Sequence, residues 1–227
     1  NMLRSFPAIR FGLMVGIGGG APYYGERGSN SAEVNIQEDE DSEKEVEHIK
    51  DIRLGDVVVS LHSKSCEAVV QYDGGRSLQS HDFIHTGGKL NKPPPIVLGG
   101  VATLQQQHKM KNGNKISELW ARALSNNPGM AEEFQRPPSA KDRLFKSDVV
   151  HIAGRKSCKS CYGPNNANLV RRTEREPKPW VHYGTIGSAD QVMKDALLRD
   201  QWARKESIMC FEMEAAGKFY THYDFNL

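Results

Sequence analysis

A chain of 227 residues with 38% hydrophobic and 26% charged side chains is long enough for one ordinary domain or two small ones. Thirty Lys and Arg against 28 Asp and Glu leave a net charge of +2, without the basic excess of a dedicated nucleic-acid or membrane-surface protein. No apolar run approaches the ~18–20 residues a membrane span needs. The composition thus describes a soluble chain of cytoplasmic type, with no nucleic acid and no membrane among its expected partners.

Residues 9–17 form a short, nearly continuous apolar run ending in Gly18-Gly19-Gly20, which predicts a buried strand delivering a glycine turn. Between Glu26 and Asp51 ten acidic residues face three basic ones, so this stretch carries −7 and the remainder +9. Such a run repels itself and has little to bury. Residues 23–50 are therefore read as an acidic, solvated insertion within one domain spanning 1–227. Residues 52–60 and 67–73 are β-branched and predict two further strands. Lys92-Pro93-Pro94-Pro95 breaks the chain and starts a helical stretch. Beyond it Ile116, Leu119, Trp120, Ala123 and Leu124 follow one helix face and are expected in the core. Residues 149–152 and 180–187 are again strand-like. A helix is predicted from Ser188 or Asp190, carrying Val192, Met193, Ala196 and Leu197 on one face. A last strand covers 208–213, with a helix starting near Glu214. Strands mixed with helices, and no repeat, give one α/β domain.

Gly16-Ile17-Gly18-Gly19-Gly20-Ala21 formally satisfies a dinucleotide-binding fingerprint. That fingerprint needs a helix to follow, and Pro22-Tyr23-Tyr24-Gly25 follows instead, so the turn is read as a place where a planar ligand or another backbone comes close. Glu212-Met213-Glu214 puts two carboxylates at i and i+2 at a strand end, where a carboxylate can accept both hydrogens of a vicinal diol. The plain alternative is a helix start whose acidic residues suit the dipole. Cys66, Cys158, Cys161 and Cys210 are too few for a disulfide scaffold. Cys158 and Cys161 have the spacing of a metal knuckle with His151 upstream, but no second pair accompanies them. A surface loop with two thiols is preferred, and no metal is assigned.

The glycine run after residues 6–17, the blocks 51–60, 69–73, 182–186 and 191–195, and Cys210-Phe211-Glu212-Met213-Glu214-Ala215-Ala216-Gly217, in this order, resemble the purine and uridine phosphorylase superfamily, and within it the fungal-type branch. The resemblance implies a three-layer α/β/α fold with a mixed central sheet. It also implies cleavage of the N-glycosidic bond of a purine or pyrimidine nucleoside, giving free base and ribose or ribose 1-phosphate. Gly18 and Gly19 then lie against the nucleobase and Val192 and Met193 pack on it. Met213 covers the ribose, Glu214 holds its hydroxyls, and Glu212 stands beside the sugar.

Phosphorylases of this family carry an arginine before the glycine turn and a serine within it, where this chain has Met14 and Ile17. Hydrolysis is accordingly preferred over phosphorolysis unless Arg10, Arg53 or another subunit supplies the clamp. Phosphate stands as a candidate co-substrate and no other cofactor is expected. The family's flanking strands, including the one whose aspartate protonates the leaving base, have no counterpart here, so an incomplete domain is expected and no catalytic residue is assigned. A homo-oligomer and fusion to ankyrin or signalling modules are implied by the same relatives. The alternative function is a non-catalytic nucleoside-binding or signalling module derived from that fold.

Overall fold

The computed structural model describes residues 8–24, 50–63, 66–77, 83–85 and 93–215. A mixed sheet with flanking helices gives an α/β fold. Its centre is β6 (Val181–Ser188). Two short strands share one edge of β6 in succession, both parallel to it: β2 (Val57–Ser60) along its first half and β3 (Val69–Gln71) along its second. On the other edge β7 (Ile208–Glu212) runs parallel to β6, and β1 (Gly19–Gly20) closes the row antiparallel to β7. A separate antiparallel pair joins β4 (Gly75–Ser77) to β5 (Phe83–His85).

Three helices accompany the sheet among the described residues: α1 (Pro95–Met110), α2 (Ile116–Asn126) and α3 (Ala196–Lys205). Pro95 sits at the first position of α1, where a missing N–H removes no helical bond. The predicted start of α3 is corrected from Ser188 or Asp190 to Ala196. Asp195 is the cap, its carboxylate accepting from the Leu197 and Leu198 amides at 2.9 and 3.0 Å. Val192 and Met193 therefore precede the helix instead of sharing its face. No helix among the described residues is long and apolar enough to cross a membrane.

The core lies where α3 covers the sheet beside β7. Ala21, Tyr72, Ala189, Ala203, Ile208 and Phe211 are buried together, with Met193 and Trp202 packed against them. Tyr72 meets the edge of Phe211 at 5.2 Å and Trp202 at 5.9 Å between ring centres. Burying one such aromatic contributes ~1.5–3 kcal/mol. Gly187 makes this packing fit, since a Cβ there would stand 2.9 Å from Ile208 Cδ1 and 3.0 Å from the Phe211 ring.

Three expectations fail for want of a partner. The run at 9–17 forms no strand, and Val15 and Ile17 are 90% and 94% exposed. An apolar run becomes a strand only beside another strand, and among the described residues β7 pairs with this segment at Gly19 and Gly20 alone. The α2 face predicted as core is likewise open, with Leu119 56% and Trp120 41% exposed, because α2 packs mainly on the turn Pro128–Met130. Residues 149–152 are irregular, with Val150 83% exposed. The acidic insertion lies outside the described residues except at its ends. There Tyr23 and Lys50 form an antiparallel bridge, each amide donating to the other's carbonyl at 2.8–2.9 Å.

Candidate functional site

β3, β6 and β7 are parallel and end side by side: Gln71 is level with Ser188, and Ser188 with Glu212. The carboxyl ends of parallel strands are where open α/β sheets take up ligands, because the loops diverge there and leave a crevice. Onto this edge β1 brings the glycine run, with Gly19 opposite Phe211 and Gly20 opposite Cys210. A Cβ on Gly16 would lie 3.7 Å from Glu214 Oε2, so the turn passes directly over that carboxylate. A Cβ on Gly18 would meet the Phe211 carbonyl oxygen at 3.1 Å and Cys210 Sγ at 3.4 Å, whereas Gly19 keeps 4.0 Å from its nearest neighbour. Of the two glycines singled out in the sequence, Gly18 is the one that needs to be small.

The Glu-Met-Glu motif divides its labour differently from the strand-face expectation. β7 stops at Glu212, so the two carboxylates do not share a strand face. Half-buried Glu212 turns back onto the chain and accepts from the Glu214 amide at 2.9 Å and the Ala215 amide at 3.0 Å, a cap on the turn beginning there. Glu214 is exposed; its Oε2 accepts from the Met213 amide at 3.1 Å and faces the glycine turn. Met213 is 42% exposed beside it. Val192 is open, at 59% exposure, while Met193 belongs to the core around Tyr72 and Phe211. Thus Gly16, Gly18, Met213 and Glu214 meet at one edge, Glu212 serves the backbone, and the Val192–Met193 pair is split.

Two residues at this edge escaped the sequence reading. Tyr72 is buried and its hydroxyl donates to the Gln191 carbonyl at 3.3 Å, tying the segment after β6 to the end of β3. Burial, and then the charges of Asp73 and Glu212, raise its phenol above the ordinary range. Asp73 fixes the same segment, accepting from the Asp190 amide at 2.8 Å and from Gln71 Nε2 at 2.9 Å. The sequence held a signal for them, the polar Gln71-Tyr72-Asp73 closing an apolar strand, but nothing in it says which neighbour they reach. Cys210 is held as a thiol, its pKa pushed up to about 11 by burial and by Glu212.

A denser charge network sits at the opposite, amino end of the strands. A cleft of about 400 Å³ is lined there by Arg53, Asp142, Arg143, Arg172 and Arg175, among others. Arg172 pairs with Asp51 at 2.9 Å and Asp142 at 3.1 Å, Arg53 with Asp51 at 2.6 Å, and Arg175 with Asp56 at 2.7 Å. Burial would raise the Asp51 carboxyl, but hydrogen bonds from Arg53, Tyr24 and Arg172 hold it well below the usual carboxylate range. Arg53, Arg172 and Arg175 already have carboxylate partners, while Arg143 lies over the Tyr162 ring, so the network holds the sheet's base together. Arg53 is bound into it, which removes one candidate for a phosphate clamp at the glycine turn.

No family model matches the chain, and no solved structure matches it. Over 218 residues, 96% of its length, the chain is 35% identical to a nucleotide-binding leucine-rich repeat (NLR)-like protein of Hyaloscypha variabilis, and it spans 18% of that protein's length.

Proposed function

We propose that the chain is a nucleoside-binding domain of the purine and uridine phosphorylase type, whose activity is cleavage of the N-glycosidic bond with water as nucleophile. The observation that carries the reading is the passage of the glycine turn over Glu214 at the carboxyl edge of the parallel strands. A solvent-facing carboxylate there suits the two hydroxyls of a ribose and the positive charge that gathers on a sugar ring as its bond to the base breaks. In that reaction the bonding electrons leave with the base nitrogen, which takes up a proton, while water bonds to the anomeric carbon and releases one. Water is preferred because Met14 and Ile17 flank the turn where a phosphate would need a guanidinium and a hydroxyl.

A second reading is a non-catalytic ligand-sensing module of a longer, fused protein. It is favoured by the NLR-like relative, of which the chain corresponds to 18%. Incubation with adenosine, inosine or uridine, with and without phosphate, separates the two by release of free base. Base released in either condition supports the enzyme, and a requirement for phosphate overturns the preference for water. Binding without release supports the sensor. Glu214→Ala is expected to weaken nucleoside binding about 10- to 100-fold, equivalent to ~1.5–3 kcal/mol for hydrogen bonds to a charged group. No base release, together with unchanged binding in that variant, sinks the assigned sugar site.

A further inference from the structure

The segment between Phe145 and Leu169 is long and irregular. Its base is closed by the antiparallel bridge of those two residues, with the Lys146 amide donating to the Asn168 carbonyl at 3.0 Å. Its first half is open, with Val150 83% and Ile152 47% exposed, while farther on Cys161 is buried and Tyr162 lies against Phe145 at 5.7 Å between ring centres. A connection this long, holding only the short 3-10 turns Cys158–Cys161 and Pro164–Asn166, usually carries a function of its own.

What converges inside it is His151, Cys158 and Cys161. The cysteines are the first and last residues of a 3-10 turn, Cys158–Cys161, capped by the Ser157 hydroxyl, which accepts from the Lys159 amide at 3.3 Å. At three residues per turn, positions i and i+3 project from one side. Both sulfurs stand 3.6 Å from the same atom, His151 Nδ1. The other ring nitrogen, Nε2, lies 2.9 Å from the Arg155 carbonyl oxygen. A carbonyl only accepts, so in the neutral ring the proton sits on Nε2 and the Nδ1 lone pair faces the two thiols. One lone pair can satisfy one S–H, and two compete for it.

We propose that His151 Nδ1, Cys158 Sγ and Cys161 Sγ bind a zinc ion, with water in the fourth place. Tetrahedral zinc with Zn–S of ~2.3 Å and Zn–N of ~2.0–2.1 Å sets neighbouring sulfur and nitrogen ligands ~3.6 Å apart, which is the spacing both cysteines keep from Nδ1. The ring already donates its second nitrogen to a backbone carbonyl, the orientation that fixes the tautomer of a metal-bound histidine. Two thiolates and an imidazole select a soft, borderline ion over magnesium or calcium. As they stand, no group of three or more His, Cys, Asp or Glu among the described residues is placed to hold a metal ion, so thiol rotation and loss of both thiol protons have to accompany binding. His151 and Cys158 are exposed, which leaves the ion a way in, and buried Cys161 anchors the turn, its carbonyl accepting from Asn168 Nδ2 at 2.8 Å. The ion would pin the segment at its middle as the Phe145–Leu169 bridge pins it at its base.

The test uses the reduced 227-residue chain, stripped with chelator and titrated with cobalt(II), then with zinc. One equivalent of cobalt should give the d–d bands of a tetrahedral ion and a thiolate-to-metal charge-transfer absorption, both abolished by one equivalent of zinc. Cys158→Ser, Cys161→Ser and His151→Ala should each weaken the metal at least about 10-fold, and Cys66→Ser should not. Absence of the charge-transfer band in the unaltered chain overturns the proposal without recourse to any variant. Its persistence in the folded double variant Cys158→Ser/Cys161→Ser, with folding checked by circular dichroism, does so equally.

Discussion

Asp56 carries more of the sheet's base than any other single side chain described. Its carboxylate is fully shielded from solvent. It accepts from Arg175 Nη2 at 2.7 and 2.9 Å, from His182 Nε2 at 2.9 Å, and from the Trp180 and Arg53 amides at 3.0 Å. Burial alone would raise its pKa; the hydrogen bonds from His182, Trp180, Arg175 and Arg53 outweigh it and lower the value to about 2. Because the folded pKa lies below the unfolded one of ~3.9, the carboxylate's contribution is whole above that value and disappears as the pH falls toward about 2. The shift corresponds to ~2.5 kcal/mol. Asp56→Asn should therefore flatten the fall in urea-unfolding free energy between pH 4 and pH 2 relative to the parent; an unchanged slope contradicts the assignment. At neutral pH Asp56→Ala should cost ~3–5 kcal/mol, since it strands the buried Arg175. The two glutamates of the candidate site divide in the same way. Glu212→Ala removes a cap and should destabilise by ~0.5–2 kcal/mol. Glu214→Ala, on an exposed side chain, should stay within ~0.5 kcal/mol while weakening the proposed nucleoside binding.

At the scale of elements, two glycines of β6 make opposite predictions. A Cβ on Gly187 meets the Ile208 and Phe211 side chains at 2.9–3.0 Å inside the core, whereas one on Gly184 meets the far end of Met209, whose Cε is 2.7 Å away. A methionine tip swings aside and a packed ring does not. Gly187→Ala should cost ~1–3 kcal/mol in thermal or urea unfolding. Gly184→Ala should cost clearly less, and equal losses would refute this account of the packing. β6 and β7 were legible in the sequence because their largely apolar runs read as strands and each finds the other as a neighbour. The apolar segment at 9–17 misled for the complementary reason, that strand formation depends on a neighbour the run itself does not name. The start of α3 was misplaced because Ser188, Asp190 and Asp195 can all cap by residue type, whereas Ser188 ends β6, the Asp190 amide is held by Asp73, and only Asp195 meets the helix amides. At the candidate site the glycine turn and Glu214 stood out from the residues themselves, and the resemblance supplied the roles expected of them. Asp73 and, at the other end of the strands, the Asp56 network did not, since the contacts that tie them to Asp190, Arg175, Trp180 and His182 span more than a hundred residues and no local spacing announces them.

For the whole molecule the decisive feature is the charge division around residues 25–49. These residues carry nine acidic and two basic side chains, a net of −7 against +9 for all the rest. The chain departs at Tyr23 and returns at Lys50 across one antiparallel bridge, and Lys50 Nζ also donates to the Ser207 carbonyl at 3.2 Å, just before β7. The framework that positions the glycine turn is thus joined on both sides of the acidic stretch without needing it as a covalent spacer of any set length. Replacing 25–49 by a short glycine-serine link should lower the loop-closure cost, by ~2 kcal/mol for three halvings of length. It also removes the acidic counterweight, and a chain left at +9 repels itself over a Debye length of ~30 Å at ~0.01 M salt but only ~3 Å at ~1 M. The shortened protein should therefore melt below the parent at low ionic strength and at or above it in high salt, with the crossing read from thermal unfolding at several salt concentrations. Non-cooperative melting at every salt concentration would show instead that the acidic stretch is part of the folded framework, and that the bridge at Tyr23 and Lys50 cannot hold without it.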